Sequence, residues 1–218
     1  NIFIYNQSGV RYSSSADFKG YVSNRGWDGE IALDVDMVSA MCPTCSIALY
    51  LSKTASYSDL NATVAAAAAN SNVVAISNSY GGGDVKSTLY KSYTSASANN
   101  IIVTASTGDK GYGVSAPASF TGVIAVGGTS LYKSGTVYSE SAWSGSGSGC
   151  SSIAENSKLP AQNIANSICP NKVNADISAV ADPNTGVSVY LNGIWKIYGG
   201  TSAASPIIAT YLAIKKAT

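Results

Sequence analysis

Three short apolar runs, Val73–Ser77, Ile101–Ala105 and Val123–Gly127, constrain this chain more than any other feature. Each has strand length and is too continuous for a sheet washed by solvent on one face, so each reads as a buried strand. Helical stretches lie between and around them. Asp28–Met41 carries Ile31, Val35 and Val38 on one face; Ser58–Asn70 is Ala-rich with Ser58 as its N-cap; Asp84–Asn99 is helical. Ser46–Leu51 adds a strand, and Asn1–Asn6 fits an edge strand. Tyr132–Val137 and Val187–Tyr198 read as hairpins, the second turning at Asn192-Gly193. Ala203–Lys215 is a final helix, with Pro206 tolerated in its first turn. Strand–helix–strand alternation predicts an α/β fold around a central, mostly parallel sheet. With 218 residues, a single domain spanning 1–218 is expected, and the Gly/Ser-rich stretch Ser144–Ser152 reads as a loop rather than a linker. Functional residues of such a fold gather outside the carboxyl ends of its strands. The places to search are therefore Asn78–Gly83, Ser106–Gly113 and the approach to the last helix.

Composition narrows the chemistry. The chain has no histidine, which excludes a Ser-His-Asp or Cys-His triad and a His-ligated metal or haem. Any hydrolytic base must be a carboxylate, a Lys or a Tyr. Thirteen Lys+Arg against twelve Asp+Glu leave a net charge of +1, which speaks against nucleic acid as a partner. Charged residues make up only 11%, so solubility rests on hydroxyls, amides and glycine. Such a surface gains little charge on acidification and escapes much of the self-repulsion that drives acid unfolding. No apolar run is long enough to span a membrane, so no membrane partner is expected. The chain starts at Asn1, without Met or a signal peptide, and reads as a mature or excised piece.

Four cysteines, Cys42, Cys45, Cys150 and Cys169, suit two disulfides made in an oxidising compartment. Cys42-Pro-Thr-Cys45 also has thioredoxin-like spacing, but it follows a predicted helix, where the dipole has the wrong sign to lower a thiol pKa. A four-cysteine zinc set is disfavoured by the wide second spacing. The favoured pairing closes two local loops, Cys42–Cys45 and Cys150–Cys169.

Three constellations can carry chemistry. Gly199-Gly-Thr-Ser202-Ala-Ala-Ser-Pro206 places a Ser at a helix start, where free N–H groups face a developing oxyanion; the bland alternative is an ordinary cap. Glu30 and Asp34, four apart, share one helix face. Their repulsion should make them share a proton and raise one pKa; the alternative is a solvated acidic face. Ser106-Thr-Gly-Asp109-Lys-Gly111 follows a buried strand, so Asp109, if protonated, could donate to an oxyanion; the alternative is a Gly-Asp turn.

Trp27-Asp-Gly-Glu30-Ile-Ala-Leu-Asp34, Ser77-Asn-Ser-Tyr-Gly-Gly82, Thr107-Gly-Asp109-Lys-Gly111, Pro117-Ala-Ser119 with Ala125-Val-Gly-Gly-Thr129, and Gly199-Gly-Thr-Ser202-Ala-Ala-Ser-Pro206 occur in that order. Together they resemble the sedolisin family, serine-carboxyl peptidases with a subtilisin-like three-layer fold. The match runs from Trp27 to the end; residues 1–26 match poorly. The resemblance implies Ser202 as nucleophile, Glu30 as its base, Asp34 as the partner that orients Glu30, and Asp109 as the oxyanion-hole acid beside the Ser202 N–H. It implies that Ser77, Asn78, Ser79, Tyr80, Gly81 and Gly82 pair with an extended substrate. It places the two cysteine pairs in a disulfide-bearing, secreted branch.

The function implied is an acid-acting secreted endopeptidase on polypeptide substrates, a monomer held by its own prodomain before maturation. The rival is a catalytically inactive binding or scaffold protein of the same shape. A prodomain and the C-terminal segment with the family's usual calcium site are both missing from the sequence, so no metal or other cofactor is expected within these residues.

Overall fold

The alternation is realised as a parallel sheet with helices on both faces. A computed structural model describes residues 1–14, 17, 26–158 and 169–218. In chain order the elements are β1 (Ile2–Asn6), α1 (Asp28–Met41), β2 (Ile47–Leu51), α2 (Tyr57–Ala68), β3 (Ala75–Asn78), β4 (Gly82–Gly83), α3 (Lys91–Ala98), β5 (Ile102–Ser106), β6 (Ser115–Ala116), β7 (Ile124–Ser134), β8 (Val137–Ala142), β9 (Gly149–Cys150), β10 (Val173–Asn174), β11 (Ile177–Val180), β12 (Val187–Leu191), β13 (Ile194–Tyr198) and α4 (Thr201–Ala217). The central sheet runs β11-β7-β5-β3, all parallel, and β8 folds back antiparallel on the far half of β7.

Helices α1 and α4 cover one face and α2 and α3 the other. Between the sheet and α2/α3, Tyr93, Phe120, Val103 and Val123 are fully shut from solvent. On the other face Val126, Ala181, Ala204 and Ile208 seat α4, while Leu33, Met37, Val189 and Ala203 clamp α1 between α4 and β12. Small residues on α4 let it lie close to the sheet, and that fixes where its N-terminus points.

Several expectations need adjusting. The α2 cap is Ser56, whose hydroxyl accepts from the Asp59 N–H, not Ser58. The stretch Asp84–Asn99 is not one helix. The Asp84 carboxylate takes Ser119 Oγ at 2.7 Å, Ser151 Oγ at 2.8 Å and Asn156 Nδ2 at 3.2 Å, and this tertiary network holds the backbone out of helix until a 3₁₀ turn at Ser87–Leu89. Helix α4 starts at Thr201, so Pro206 lies inside it, beyond the first turn. The turn at Asn192-Gly193 forms as expected, with φ of 54° and 82°, the left-handed pair a type I′ hairpin requires. The two disulfides close as Cys42–Cys45 and Cys150–Cys169.

The largest difference concerns β1. It pairs in parallel with β2 from Ile2↔Ile47 to Asn6↔Leu51, and this two-stranded ribbon has no ladder to β3. A cavity of about 1090 Å³ separates the ribbon from the central sheet.

Candidate active site

Three chain segments converge where α4 begins. Gly200 precedes the helix at φ 97°, and a Cβ there would come within 2.6 Å of Asp109 Oδ2, so only glycine fits. Asp109, on the loop after β5, then caps α4 from outside. Its Oδ1 accepts the Thr201 N–H at 2.7 Å and the Thr201 hydroxyl at 2.9 Å, while Thr201 Oγ1 accepts the Gly108 N–H at 2.9 Å. A carboxylate at a helix N-terminus is held by these donors and by the dipole. Its other oxygen, Oδ2, has no hydrogen-bond partner among the described residues and lies on the exposed side of the loop.

Ser202 is the next residue along α4. Its hydroxyl faces the Glu30 carboxyl, whose Oε1 is buried without a hydrogen-bond partner. Burial pushes the Glu30 pKa up; the Ser202 hydroxyl pulls it down, and the nearby Asp109 charge raises it again. One turn along α1, Asp34 is pushed up to about 8, first by burial and then by the Glu30 charge, against one stabilising bond from Ser79. Both carboxyls of the pair are therefore raised, and Asp34 carries the large shift. No direct bond joins the two carboxyls: Asp34 Oδ1 accepts the Ser79 hydroxyl instead, at 2.5 Å.

That serine solves a second problem. In a regular helix the N–H of residue 206 would bond the Ser202 carbonyl, but Pro206 has none. The Ser79 hydroxyl reaches that carbonyl at 3.2 Å. One hydroxyl proton thus faces two acceptors. Both are satisfied when Asp34 holds its own proton and donates it to Ser79 Oγ, which suits its raised pKa.

The rest of the Ser77–Gly82 segment points largely inward. Ser77 Oγ meets Ser205 Oγ at 3.0 Å, Asn78 Nδ2 donates to the Thr104 carbonyl at 2.8 Å, and the Tyr80 hydroxyl donates to Asn78 Oδ1 at 2.6 Å and meets the Tyr93 hydroxyl. Gly81 and Gly82 are exposed, and Gly82 already pairs with Ala116 on β6. Ser79 and Thr201 carry roles at the site that residue type alone did not reveal. Thr201 could have been found from its place beside Gly200; Ser79 could not, because its function depends on where β3 ends against α4. Beside Glu30, a groove of about 710 Å³ opens between the start of α1 and the β12–β13 hairpin, edged by Asp28, Asn192, Lys196 and Tyr198.

Comparison with known proteins agrees with this geometry. A family model described as the Subtilase family matches residues 22–218, and the chain belongs to that family of peptidases. Its likeness is to the sedolisin type, serine-carboxyl peptidases of subtilisin-like fold. The chain is 30% identical to kumamolisin of Bacillus sp. (strain MN-32) over 216 residues, covering 86% of this chain and 39% of that protein. A solved Pseudomonas sedolisin, a serine-carboxyl proteinase complexed with two molecules of pseudo-iodotyrostatin, superposes with a TM-score of 0.83 at 23% identity, over 100% of this chain and 67% of that one. Sphericase gives 0.57 at 19% identity, over 77% and 53% of the two chains. The chain thus spans well under half the length of the curated relative and two thirds of the sedolisin structure.

Among the described residues, no three His, Cys, Asp or Glu side chains stand close enough to hold a metal ion. No described helix is long and apolar enough to cross a membrane.

Proposed function

We propose that the chain is the peptidase domain of an acid-acting serine-carboxyl endopeptidase, with Ser202, Glu30, Asp34 and Asp109 as its catalytic group. The observation that carries this reading is the approach of Ser202, at the N-terminus of α4, to the buried Glu30 carboxyl, with a second raised carboxyl one turn behind it.

In the proposed reaction Ser202 Oγ attacks the peptide carbonyl carbon as its proton passes to Glu30. The carbonyl π pair moves to oxygen. The Ser202 N–H, in the first turn of α4, and a hydrogen carried on Asp109 Oδ2 donate to that oxyanion. As the C–N bond breaks, Glu30 returns the proton to the leaving amine, and an acyl-enzyme remains. Water then attacks through the same base, and the Ser202 proton is restored. Asp34, kept neutral through Ser79, adds no second negative charge behind Glu30. The exposed backbone at Gly81–Gly82 and the groove beside Glu30 are offered as the surface for an extended polypeptide.

Two disulfides support secretion, and the resemblance supports a monomer restrained by its own prodomain before maturation. Hydrolysis of an unfolded protein at about pH 4 tests the reading. Ser202→Ala should abolish hydrolysis and labelling by a fluorophosphonate while leaving the circular dichroism spectrum unchanged. Activity that survives in this variant would sink the assignment, and a chain that neither cleaves nor labels is the scaffold alternative.

A further inference from the structure

We propose that the Gly/Ser-rich segment Ser144–Gly149 is a backbone strap that fixes the loop carrying Asp109, with Gly147 as the positioning residue for that acid. The catalytic consequence rests on the function proposed above; the strap itself does not.

The loop after β5 is poorly equipped to hold its own shape. Asp109 lies among Gly108, Gly111 and Gly113, which take φ of 99°, 74° and 156°. Glycine has the widest choice of backbone conformations, so a loop this rich in it loses the most entropy when one arrangement is fixed. The central sheet reaches only to Thr107, whose N–H donates to the Val126 carbonyl at 3.1 Å. Thr201 grips the Asp109 carboxyl, but from α4 alone. The proposed chemistry needs more than that, because a misplacement of about 1 Å can cost a group about 10²-fold in rate.

The strap supplies the missing hold. The Gly147 N–H donates to the Gly108 carbonyl at 2.7 Å, the Gly111 N–H to the Gly145 carbonyl at 2.8 Å, and the Gly113 N–H to the Ser148 carbonyl at 2.7 Å. These main-chain bonds bracket Asp109 from both sides. The strap is itself tied down at each end. At one end the Trp143 N–H donates to the Gly128 carbonyl at 3.1 Å, and the Gly128 N–H donates to Ser146 Oγ at 2.8 Å, so the strap is moored to β7. At the other end β9 pairs with β10, and Cys150 is bonded to Cys169. A flexible loop is thereby referred to the rigid central sheet, which is what a precisely placed group requires.

Gly147 is the tightest point of contact. It is buried, and a Cβ there would lie 2.0 Å from the Thr107 carbonyl oxygen and 2.6 Å from its carbon. Both colliding atoms are backbone, so no side chain can turn aside. The Thr107–Gly108 peptide is also pinned. Its carbonyl oxygen accepts Ser115 Oγ at 2.8 Å, and its N–H donates to Thr201 Oγ1 at 2.9 Å. A methyl at 147 must therefore lift the strap or push the peptide that leads directly into Asp109. Either movement shifts Asp109 Oδ2 relative to the Ser202 N–H. A donor that acts on the oxyanion works only in the transition state, so its displacement lowers kcat and leaves KM nearly alone.

The test is a double-mutant cycle between Gly147→Ala and Asp109→Ala, preceded by amide exchange. In Gly147→Ala the amides of Gly111 and Gly113 should exchange about tenfold or more faster, while those of Val103–Ala105 in β5 keep the wild-type rate. On a fluorogenic peptide in acid, Gly147→Ala should lower kcat by about 10- to 100-fold with KM within about threefold. In Asp109→Ala the donor is already gone, and adding Gly147→Ala should change kcat by less than about threefold. Ser146→Ala releases the strap from Gly128 and is the second variant in case Gly147→Ala does not fold; it should give a smaller loss with the same non-additivity.

Unchanged exchange at Gly111 and Gly113 in both strap variants overturns the strap. Faster exchange with equal kcat losses in the two backgrounds makes the segment merely structural and overturns the role of Gly147. A wild type without Ser202-dependent hydrolysis is instead the failure of the proposed function, and the exchange result then decides the strap alone.

Discussion

Two aspartates close to the start of α4 behave in opposite ways. Asp34 has one donor, the Ser79 hydroxyl, and a carboxyl neighbour in Glu30; burial drives its pKa up to about 8. Asp182, just after β11, is also well covered, at 7% exposure. Its Oδ2 accepts Ser130 Oγ at 2.6 Å, and its Oδ1 accepts the Asn184 N–H at 2.9 Å and Nδ2 at 3.0 Å. Its pKa is held below the ordinary value, chiefly by Ser130 and then by the Asn184 backbone. Burial outweighs the single bond at Asp34, whereas the Ser130 and Asn184 bonds outweigh burial at Asp182. Asp182 is furnished as an anion and serves the fold. The α1 pair is deprived of donors, and that shortage keeps protons within reach of Ser202.

The comparison breaks most visibly at Glu30. Glu30→Gln keeps size and removes the proposed base, so turnover at acid pH should fall by about 10²–10⁴ with KM little changed. Initial rates on a fluorogenic peptide check this. A fall of only a fewfold would place the base elsewhere and make the α1 carboxyls structural after all.

Asp34 is the next test, and the sign matters. Its folded pKa of about 8 lies above the ordinary 3.8, so between these values the folded state holds a proton that the unfolded chain has lost. The Asp34 contribution to stability is therefore most favourable below about pH 4 and is lost as pH rises toward 8, by a few kcal/mol. Asp34→Asn should flatten this slope in urea melts taken across the range. A wild-type slope of the opposite sign would show that Asp34 is furnished as Asp182 is.

How much of this was readable beforehand follows from which interactions are local. The α1 boundaries, the two local disulfides and the Asn192-Gly193 turn depend on neighbours in the chain, and they matched. The placement of Glu30 and Asp34 on one helix was legible because a spacing of four fixes a shared face, and that of Ser202 because Gly-Gly-Thr announces a helix start; the roles proposed for them come from the family resemblance. The sharing of a proton directly between Glu30 and Asp34 was not the arrangement found, because Ser79 arrives from another strand and takes Asp34 Oδ1. The break in Asp84–Asn99 was hidden for the same reason: its cause is Ser119, Ser151 and Asn156, far along the chain. The cavity beside β3 was invisible, since no periodicity reports a missing ladder.

Ser79 gives a smaller effect that separates two roles. Ser79→Ala removes the hydrogen-bond partner of Asp34 and the substitute for the missing Pro206 N–H, and should cost about 1–3 kcal/mol. Adding Pro206→Ala restores a helix N–H to the Ser202 carbonyl but nothing to Asp34. The double variant should recover part of the stability and keep the altered pH profile of hydrolysis. Recovery of both would reduce Ser79 to a helix patch.

The smallest expected effect belongs to Asp182, and it runs against Asp34. A carboxylate with a lowered folded pKa contributes stability that is present above its unfolded value near 3.8 and is lost as pH falls through the folded one. Asp182→Asn replaces one charged acceptor by a neutral one while leaving the Ser130 and Asn184 donors in place, so the melting temperature should drop modestly at pH 7 and converge on wild type in strong acid. Asp34→Asn should show its difference from wild type growing in the other direction, toward neutral pH. Thermal melts of the two variants in matched buffers therefore diverge in sign. If both curves bend the same way, donor supply is not what distinguishes the site carboxyl from the structural one, and the net field around each, rather than its hydrogen bonds, sets its protonation.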